Sequence, residues 1–414
     1  MSITQKELAR RIRAAREACG LTQAKVAEHL GISRPTVVQI EQGKRSVSSL
    51  ELSRLAYLFG RDLRDFLQDS FQEKNLLSAL FRAEPGVLDR PHVAEALRAC
   101  MALGREVRNL EELLGIERIQ RVPASYSLPS PETKGEAVQQ GIKLAMDERN
   151  RLGLPTAPLP DLAELLANQG IHTAVLDLPE DVSGLTLNDP RKGLFVFVNR
   201  KHHLLRRRFS FAHEYAHILA DRSRFGVVSR LSQRENLVEV RANAFAANFL
   251  MPEEGVRRFL AQLGKIGRTR PTYQVFDPSG SMKVEDRMAP GSQAIQLHDV
   301  VQLAEFFRVS LPSCIYRLHD LRLITEKESA DLEALHQKGA GKLVAKLLGF
   351  PKPKHRKERN WFRNRLLGLA LEAFRREKIS RGKLIALASM VGLDREQVAR
   401  LLEKIGSPYQ GGRW

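Results

Sequence analysis

His213, Glu214 and His217 stand in the run RRRFSFAHEYAHILADR, and this HExxH spacing restricts the possible fold more than any other feature. Residues i and i+4 lie one above the other on a helix face, so the two imidazoles can converge on one ion only if the run is helical. Phe209, Phe211, Ala212, Ala216, Ile218 and Leu219 supply apolar residues on both sides, which predicts a helix buried under a sheet. Glu214 would then lie beside the metal, where it can take a proton from a zinc-activated water. A catalytic zinc takes three protein ligands and keeps one position open. Twenty-two residues on, EVRANAFAANFLMP offers Glu239 as the third ligand, with Asn243 one turn below to hold a ligand imidazole. A glutamate on a helix is ordinarily an exposed acid. Here Ala242, Phe245, Ala246, Phe249, Leu250 and Met251 make its helix mostly buried. Glu235 is the nearest competing ligand.

The surrounding periodicity agrees. Gly135–Leu152 is amphipathic, and PLPDLAELLANQG reads as a helix capped by Asp161 and stopped by Gly170. The period then changes to short β-rich runs at 172–179, 183–189 and 193–200, a small sheet of about three strands. Two helical patterns follow, Arg206–Asp221 and Asn236–Met251. This order is the one expected of a zincin-type metallopeptidase. HEYAH followed by ExxANxFAxxxLMP, with DLPEDVSGLTLNDPRKGLFVFVN before them, resembles the ImmA/IrrE metallopeptidase family over about residues 137–260. The resemblance implies an intracellular zinc endopeptidase that acts on repressors of the XRE type. It also implies His213, His217 and Glu239 as ligands and Glu214 as general base. The run GLFVFVNR is unusually apolar, and its edge is expected to receive the substrate as an added strand. The competing reading is an interior strand with no free edge.

The N-terminal stretch LTQAKVAEHLGISRPTVVQIEQG carries a second pattern. Thr22 caps a helix bearing Val26, Ala27 and Leu30; Gly31 turns the chain, and Ser33 caps a second helix with Val37 and Ile40 inward. Two short helices about a Gly-containing turn make a helix-turn-helix. Residues 5–67 resemble the phage-repressor (XRE/Cro-like) DNA-binding domain. That resemblance places Arg34, Thr36 and Gln39 at base edges of duplex DNA, where Arg suits guanine and Gln suits adenine. Gln23, Lys44 and Arg45 are placed for phosphates. Pro35 removes one possible base contact but is tolerated in a first helical turn. Such repressors bind as homodimers, which is the state expected here.

The charge suits nucleic acid or a membrane surface as partner. The net charge of +18 divides into +5 over residues 1–67 and +12 over 342–414, leaving a near-neutral middle. No run approaches the roughly eighteen apolar residues of a membrane span, and MSITQKELARR lacks a signal peptide's apolar stretch. The three cysteines, Cys19, Cys100 and Cys314, show no pairing logic, so a cytoplasmic protein is expected.

The predicted class is mainly α with a small α+β zincin-like domain. Its expected divisions are a five-helix DNA-binding domain over 1–68, a helical connector and Pro/Ser linker over 69–133, and the metallopeptidase over 134–265. A loop plus helical bundle packing on the peptidase over 266–345 and a basic helical module over 346–414 complete it. In the connector, Leu76, Leu77, Leu80 and Phe81, then Ala94–Leu114, predict two or three helices. Residues 264–292 read as a long loop, and 296–325 as a structural helix pair behind the peptidase. His202 and His203 read as a solvated lead-in to the HExxH helix. The expected function is a DNA-binding regulator that cleaves a repressor-type protein, or itself, with zinc. A metal or ligand sensor that cuts nothing is the alternative, as is a toxin–antitoxin or mobile-element regulator.

Overall fold

The computed structural model describes residues 3–69, 71, 91–116, 123–189, 193–222, 226–230, 235–266, 272–277, 280–285, 293–350 and 361–405. At the N-terminus five helices follow one another: α1 (Gln5–Ala18), α2 (Gln23–Leu30), α3 (Arg34–Glu41), α4 (Ser49–Leu58) and α5 (Leu63–Leu67). Each begins where the side chain of Thr4, Thr22, Ser33, Ser48 or Asp62, in turn, accepts from an otherwise orphaned backbone N–H. Gly31 leaves α2 at φ 70°, a left-handed conformation that costs glycine nothing. Val26, Leu30, Val37 and Ile40 meet Ile12, Leu55 and Phe59 in the core below.

The connector contributes one long helix, α6 (Pro91–Leu113), and each of its faces has a different partner. Val93, Leu97 and Met101 pack on one face of the sheet, against Leu185, Leu187, Phe195 and Phe197. Val107 and Leu110 pack instead with Leu366, Ala370 and Leu384 near the C-terminus. Toward the N-terminal five helices, Arg98 donates to the Leu58 carbonyl at 2.9 Å, Arg105 donates to that of Arg61, and Tyr57 donates to Glu95 at 2.7 Å. Leu76, Leu77, Leu80 and Phe81 lie outside the described residues.

Next come α7 (Lys134–Arg151) and α8 (Leu162–Asn168), then β1 (Ile171–Leu176), β2 (Val182–Asp189), β3 (Gly193–Asn199), α9 (Leu204–Ala220), β4 (Gly226–Arg230), α10 (Leu237–Leu250) and α11 (Glu253–Gln262). The sheet has four strands in the order β1-β3-β2-β4, with β1 parallel to β3 and the other pairs antiparallel. Two expectations need correcting. The fourth strand, GVVSR, is a five-residue edge strand too short to show a period-2 pattern. The GLFVFVNR strand has no free edge, because β3 is paired with β1 on one side and β2 on the other. Its apolar character reflects burial on both faces: Val196 and Val198 face the helices, Phe195 and Phe197 face α6.

On the helical face α9 lies against β2 and β3, α10 packs on α9, and α7 packs on α10. Gly141 of α7 permits that last approach, since a Cβ there would meet the Arg241 carbonyl at 2.5 Å and the Ala244 methyl at 2.8 Å. The same core continues through α12 (Leu297–Phe307), α13 (Leu311–Asp320), α14 (Glu326–Gln337) and α15 (Ala340–Leu347), where Val300, Phe307, Ile315 and Leu318 join Phe249 and Leu250. The stretch expected to be a loop contains a hairpin, β5 (Thr272–Asp277) with β6 (Gly280–Glu285). Alternation in TYQVFD and GSMKVE, on either side of turn-forming residues, carries that signal. The C-terminal helices α16 (Trp361–Arg375), α17 (Arg381–Met390) and α18 (Arg395–Ile405) close on α6, with ion pairs Arg365–Glu111 at 2.5 Å and Lys383–Glu106 at 2.9 Å. Among the described residues no helix is long and apolar enough to cross a membrane.

Candidate metal centre

α9 and α10 bring three buried side chains to one point. His213 Nε2 lies 3.1 Å from Glu239 Oε2, His217 Nε2 lies 3.4 Å from Glu239 Oε1, and the two Nε2 atoms are 3.3 Å apart. Among the described residues this is the one His/Cys/Asp/Glu group whose ligand atoms could share a metal ion, all within 4.8 Å of one another. The i, i+4 stacking on α9 aligns the histidines, and Glu239 enters from the first turn of α10, capped by Asn236. Glu235 stands apart, exposed and ion-paired with Lys134.

The outer ring nitrogens decide what the inner ones can do. His213 Nδ1 lies 2.9 Å from Asn243 Oδ1, and His217 Nδ1 lies 2.9 Å from Asp221 Oδ2. If each Nδ1–H donates outward, both Nε2 lone pairs point inward beside the Glu239 carboxylate. Such a ring holds acceptors only, and a cation is what would satisfy it. Two nitrogens, one carboxylate and an open side match the donor set of a catalytic zinc site. Without an ion, burial disfavours a charged His217, yet hydrogen bonds to Asp221 and Glu239 override it and raise its pKa to about 10. Burial would also raise Glu239, but hydrogen bonds from both histidines hold it well below the usual carboxylate range.

Asp221 was not singled out in the sequence, although it falls four residues beyond His217 on the same helix face. Its Oδ1 takes a 2.6 Å ion pair from Arg241, whose other arm donates to Gln140 of α7 at 3.1 Å. α9 is therefore tied to α10 and α7 by a buried chain of polar contacts.

Glu214 is fully buried on the sheet side of the cluster. Thr186 of β2 donates to its Oε2 at 2.7 Å. Burial pushes its pKa up, against the opposing pull of His213, His217 and the hydroxyls of Thr186 and Ser229. Gly184 makes the position possible, because a Cβ there would lie 2.4 Å from Oε1. Thr186 and Gly184 were beyond sequence reasoning, since strand register alone sets them against α9.

A cleft of about 930 Å³ opens on His213 and Glu239. α13 lines it through Pro312, Ser313 and Tyr316, so part of the helix pair expected behind the peptidase borders the site instead. His203 caps α9 by accepting from Leu205 N–H at 3.4 Å, which gives the His202–His203 pair a structural use.

On the DNA-binding domain, Arg34, Gln39 and Lys44 are exposed, and Thr36 is half-buried with its hydroxyl 2.8 Å from that of Ser33. Gln23 donates to Glu41 at 2.9 Å, and Arg45 is ion-paired with Glu51 at 2.9 Å.

Comparison with known proteins divides the chain in the same two places. A helix-turn-helix domain family matches residues 7–67, and the IrrE N-terminal-like domain, a peptidase family, matches residues 166–319. An uncharacterized HTH-type transcriptional regulator of Methanothermobacter thermautotrophicus is 39% identical over 51 residues, 12% of this chain and 74% of that one. The crystal structure of ComR from Streptococcus suis aligns over 97% of this chain and 96% of that one, at 12% identity. Its TM-score is 0.16, too low to support any conclusion.

Proposed function

We propose, for a chain that belongs to the helix-turn-helix transcriptional regulators and carries an IrrE N-terminal-like domain, that it binds duplex DNA and cleaves a repressor-type protein, or itself, at a zinc centre. One observation carries this reading: the ligand-capable atoms of His213, His217 and Glu239 converge within 4.8 Å of one another beside the buried carboxylate of Glu214. When bound, zinc supplies Lewis-acid polarisation to the scissile carbonyl and to the attacking water. Glu214 accepts the water's proton at Oε1, its other oxygen being held by Thr186, and passes it to the amide nitrogen as the C–N bond breaks. Asn243 and Asp221 keep both imidazoles in one tautomer and orientation. Among the described residues β4 pairs only with β2, and Arg230 at its end lines the cleft. The β4 edge, rather than β3, thus offers main-chain hydrogen bonds to an extended substrate. In the N-terminal domain Arg34, Thr36 and Gln39 face base edges, while Gln23, Lys44 and Arg45 hold phosphates. Regulation would follow from combining the two: the DNA-binding domain locates the chain, and cleavage removes a repressor.

Zinc-loaded full-length protein incubated with helix-turn-helix repressors, with fragments mapped by mass spectrometry, tests the reading. A specific cut that EDTA abolishes and zinc restores is expected. Zinc-loaded protein that cuts neither a repressor nor itself would overturn the peptidase reading and leave a metal sensor.

A further inference from the structure

The chain past residue 360 repeats a pattern already met near its start. GISRPTVVQI at 31–40 and GLDREQVARL at 392–401 share a glycine, an apolar residue, a capping residue, an arginine and, three residues on, a valine. The backbone agrees with the spelling. Gly31 and Gly392 both take a left-handed φ, 70° and 77°, and the next N–H donates back to an alanine carbonyl at 3.0 Å, Ile32 to Ala27 and Leu393 to Ala388. Ser33 then accepts from the N–H of Thr36, and Asp394 from that of Gln397 at 2.7 Å. Val37 and Val398 are both buried beneath their turns. Ahead of each pair a further helix, α1 or α16, completes a three-helix core. α16–α18 is thus a second helix-turn-helix unit, and it lies outside both regions that the family comparisons match.

What separates a reading helix from a packing one is its outer face. α12–α13 has a similar turn, but there the positions matching Arg34, Thr36 and Gln39 are Leu311, Ser313 and Tyr316, none of them cationic, and the last two border the metal cleft. On α18 the matching positions are Arg395, Gln397 and Arg400, all exposed. Glu396 pairs with Arg400 at 3.6 Å, but their side chains are 83% and 75% exposed, a weak pair that a phosphate can displace. Residues 361–405 hold ten Lys/Arg against five Asp/Glu, the same +5 as residues 1–67. Both units are supported on α6, through Tyr57 on Glu95 and Arg365 on Glu111, and Met390 of α17 borders one cavity with Tyr57 and Arg61. A duplex held by one unit is therefore at high effective concentration for the other.

We propose that α16–α18 is a second duplex-DNA-binding unit, with α18 entering a major groove and Arg395, Gln397 and Arg400 meeting bases and phosphates there. This role is independent of the zinc centre and separate from the contacts assigned to α3.

Fluorescence anisotropy of the full chain on a random-sequence duplex of about 40 base pairs, room for two units, measures the contribution across a salt series. Arg395→Ala/Arg400→Ala, at exposed positions outside the core, should weaken binding at least about tenfold and lower the slope of log affinity against log salt by about two. Arg395→Lys/Arg400→Lys should recover most of that loss, because contacts to random DNA need chiefly the charge. Arg257→Ala/Arg258→Ala, two exposed cations of α11 in the near-neutral middle, should change binding less than about twofold. In the unmodified protein the duplex should also shield Arg395 and Arg400 from an arginine-selective reagent, mapped by mass spectrometry, a readout that needs no variant to fold. Unchanged affinity and slope in a folded α18 variant, an equal loss from the α11 pair, or no shielding would overturn the proposal. If the α18 changes weaken binding while Arg34→Ala/Gln39→Ala does not, the second unit stands and the α3 assignment falls; the opposite result removes the second unit alone.

Discussion

Replacing Asp221 with alanine should separate the metal centre from the frame that supports it. The substitution removes the acceptor 2.9 Å from His217 Nδ1 and the 2.6 Å counter-charge of Arg241, a residue only 3% exposed. Loss of a partner that orients a ligand histidine typically costs 10–100-fold in metal affinity, about 1.4–2.7 kcal/mol. The stranded guanidinium keeps Gln140 but no carboxylate, and removing one member of a buried pair costs about 3–5 kcal/mol of stability. Asp221→Asn retains an oxygen acceptor for the imidazole yet also deprives Arg241 of its counter-charge. The two variants should therefore lose similar stability in EDTA, while asparagine recovers most of the zinc affinity. Competition against a chromophoric chelator gives the zinc Kd, and urea unfolding in EDTA gives the stability. If Asp221→Ala binds zinc within twofold of the unmodified protein, the proposed orienting role is wrong.

Three further outcomes follow from the same geometry. Glu239→Ala should strip the protein of zinc, whereas Glu235→Ala should leave metal content unchanged, because Glu235 is exposed and paired with Lys134; metal analysis of both decides the third ligand. Gly184→Ala pushes a methyl into Glu214 Oε1 and should lower kcat by about a hundredfold with zinc retained, and a normal kcat would dissociate Glu214 from the reaction. In the DNA-binding domain, Gln39→Ala should relax base preference by about 1–3 kcal/mol, while Lys44→Ala should weaken all sequences alike and flatten the salt dependence. Identical effects on specific and random duplexes in a binding titration would contradict the assignment of α3 as the reading helix.

What could be read from the sequence was local. Thr22, Gly31 and Ser33 act within a few residues of themselves, so the helix-turn-helix was legible down to its caps. His213 and His217 need only a helix to converge, and the apolar run around Glu239 was enough to predict its burial. Asp221 was equally accessible by i+4 spacing but carries no motif. The misses were mostly non-local: nothing near GLFVFVNR in the chain tells that β1 pairs with it on the side away from β2 and so leaves β3 inside. Thr186 reaches Glu214 only through the way β2 packs on α9, and α13 borders the cleft only because it shares one apolar core with α9 and α10. The span over Thr272–Glu285 was misread for another reason, as its glycine and proline content outweighed the alternation on either side.

Glu214→Gln tests the central claim most directly, since it keeps the side chain's shape and the Thr186 contact while removing the proton acceptor. The purified variant and the unmodified protein should each carry one zinc per chain, and the variant should lose cleavage of the protein substrate by at least about a hundredfold. A variant that keeps its zinc and cleaves at the original rate would contradict the account.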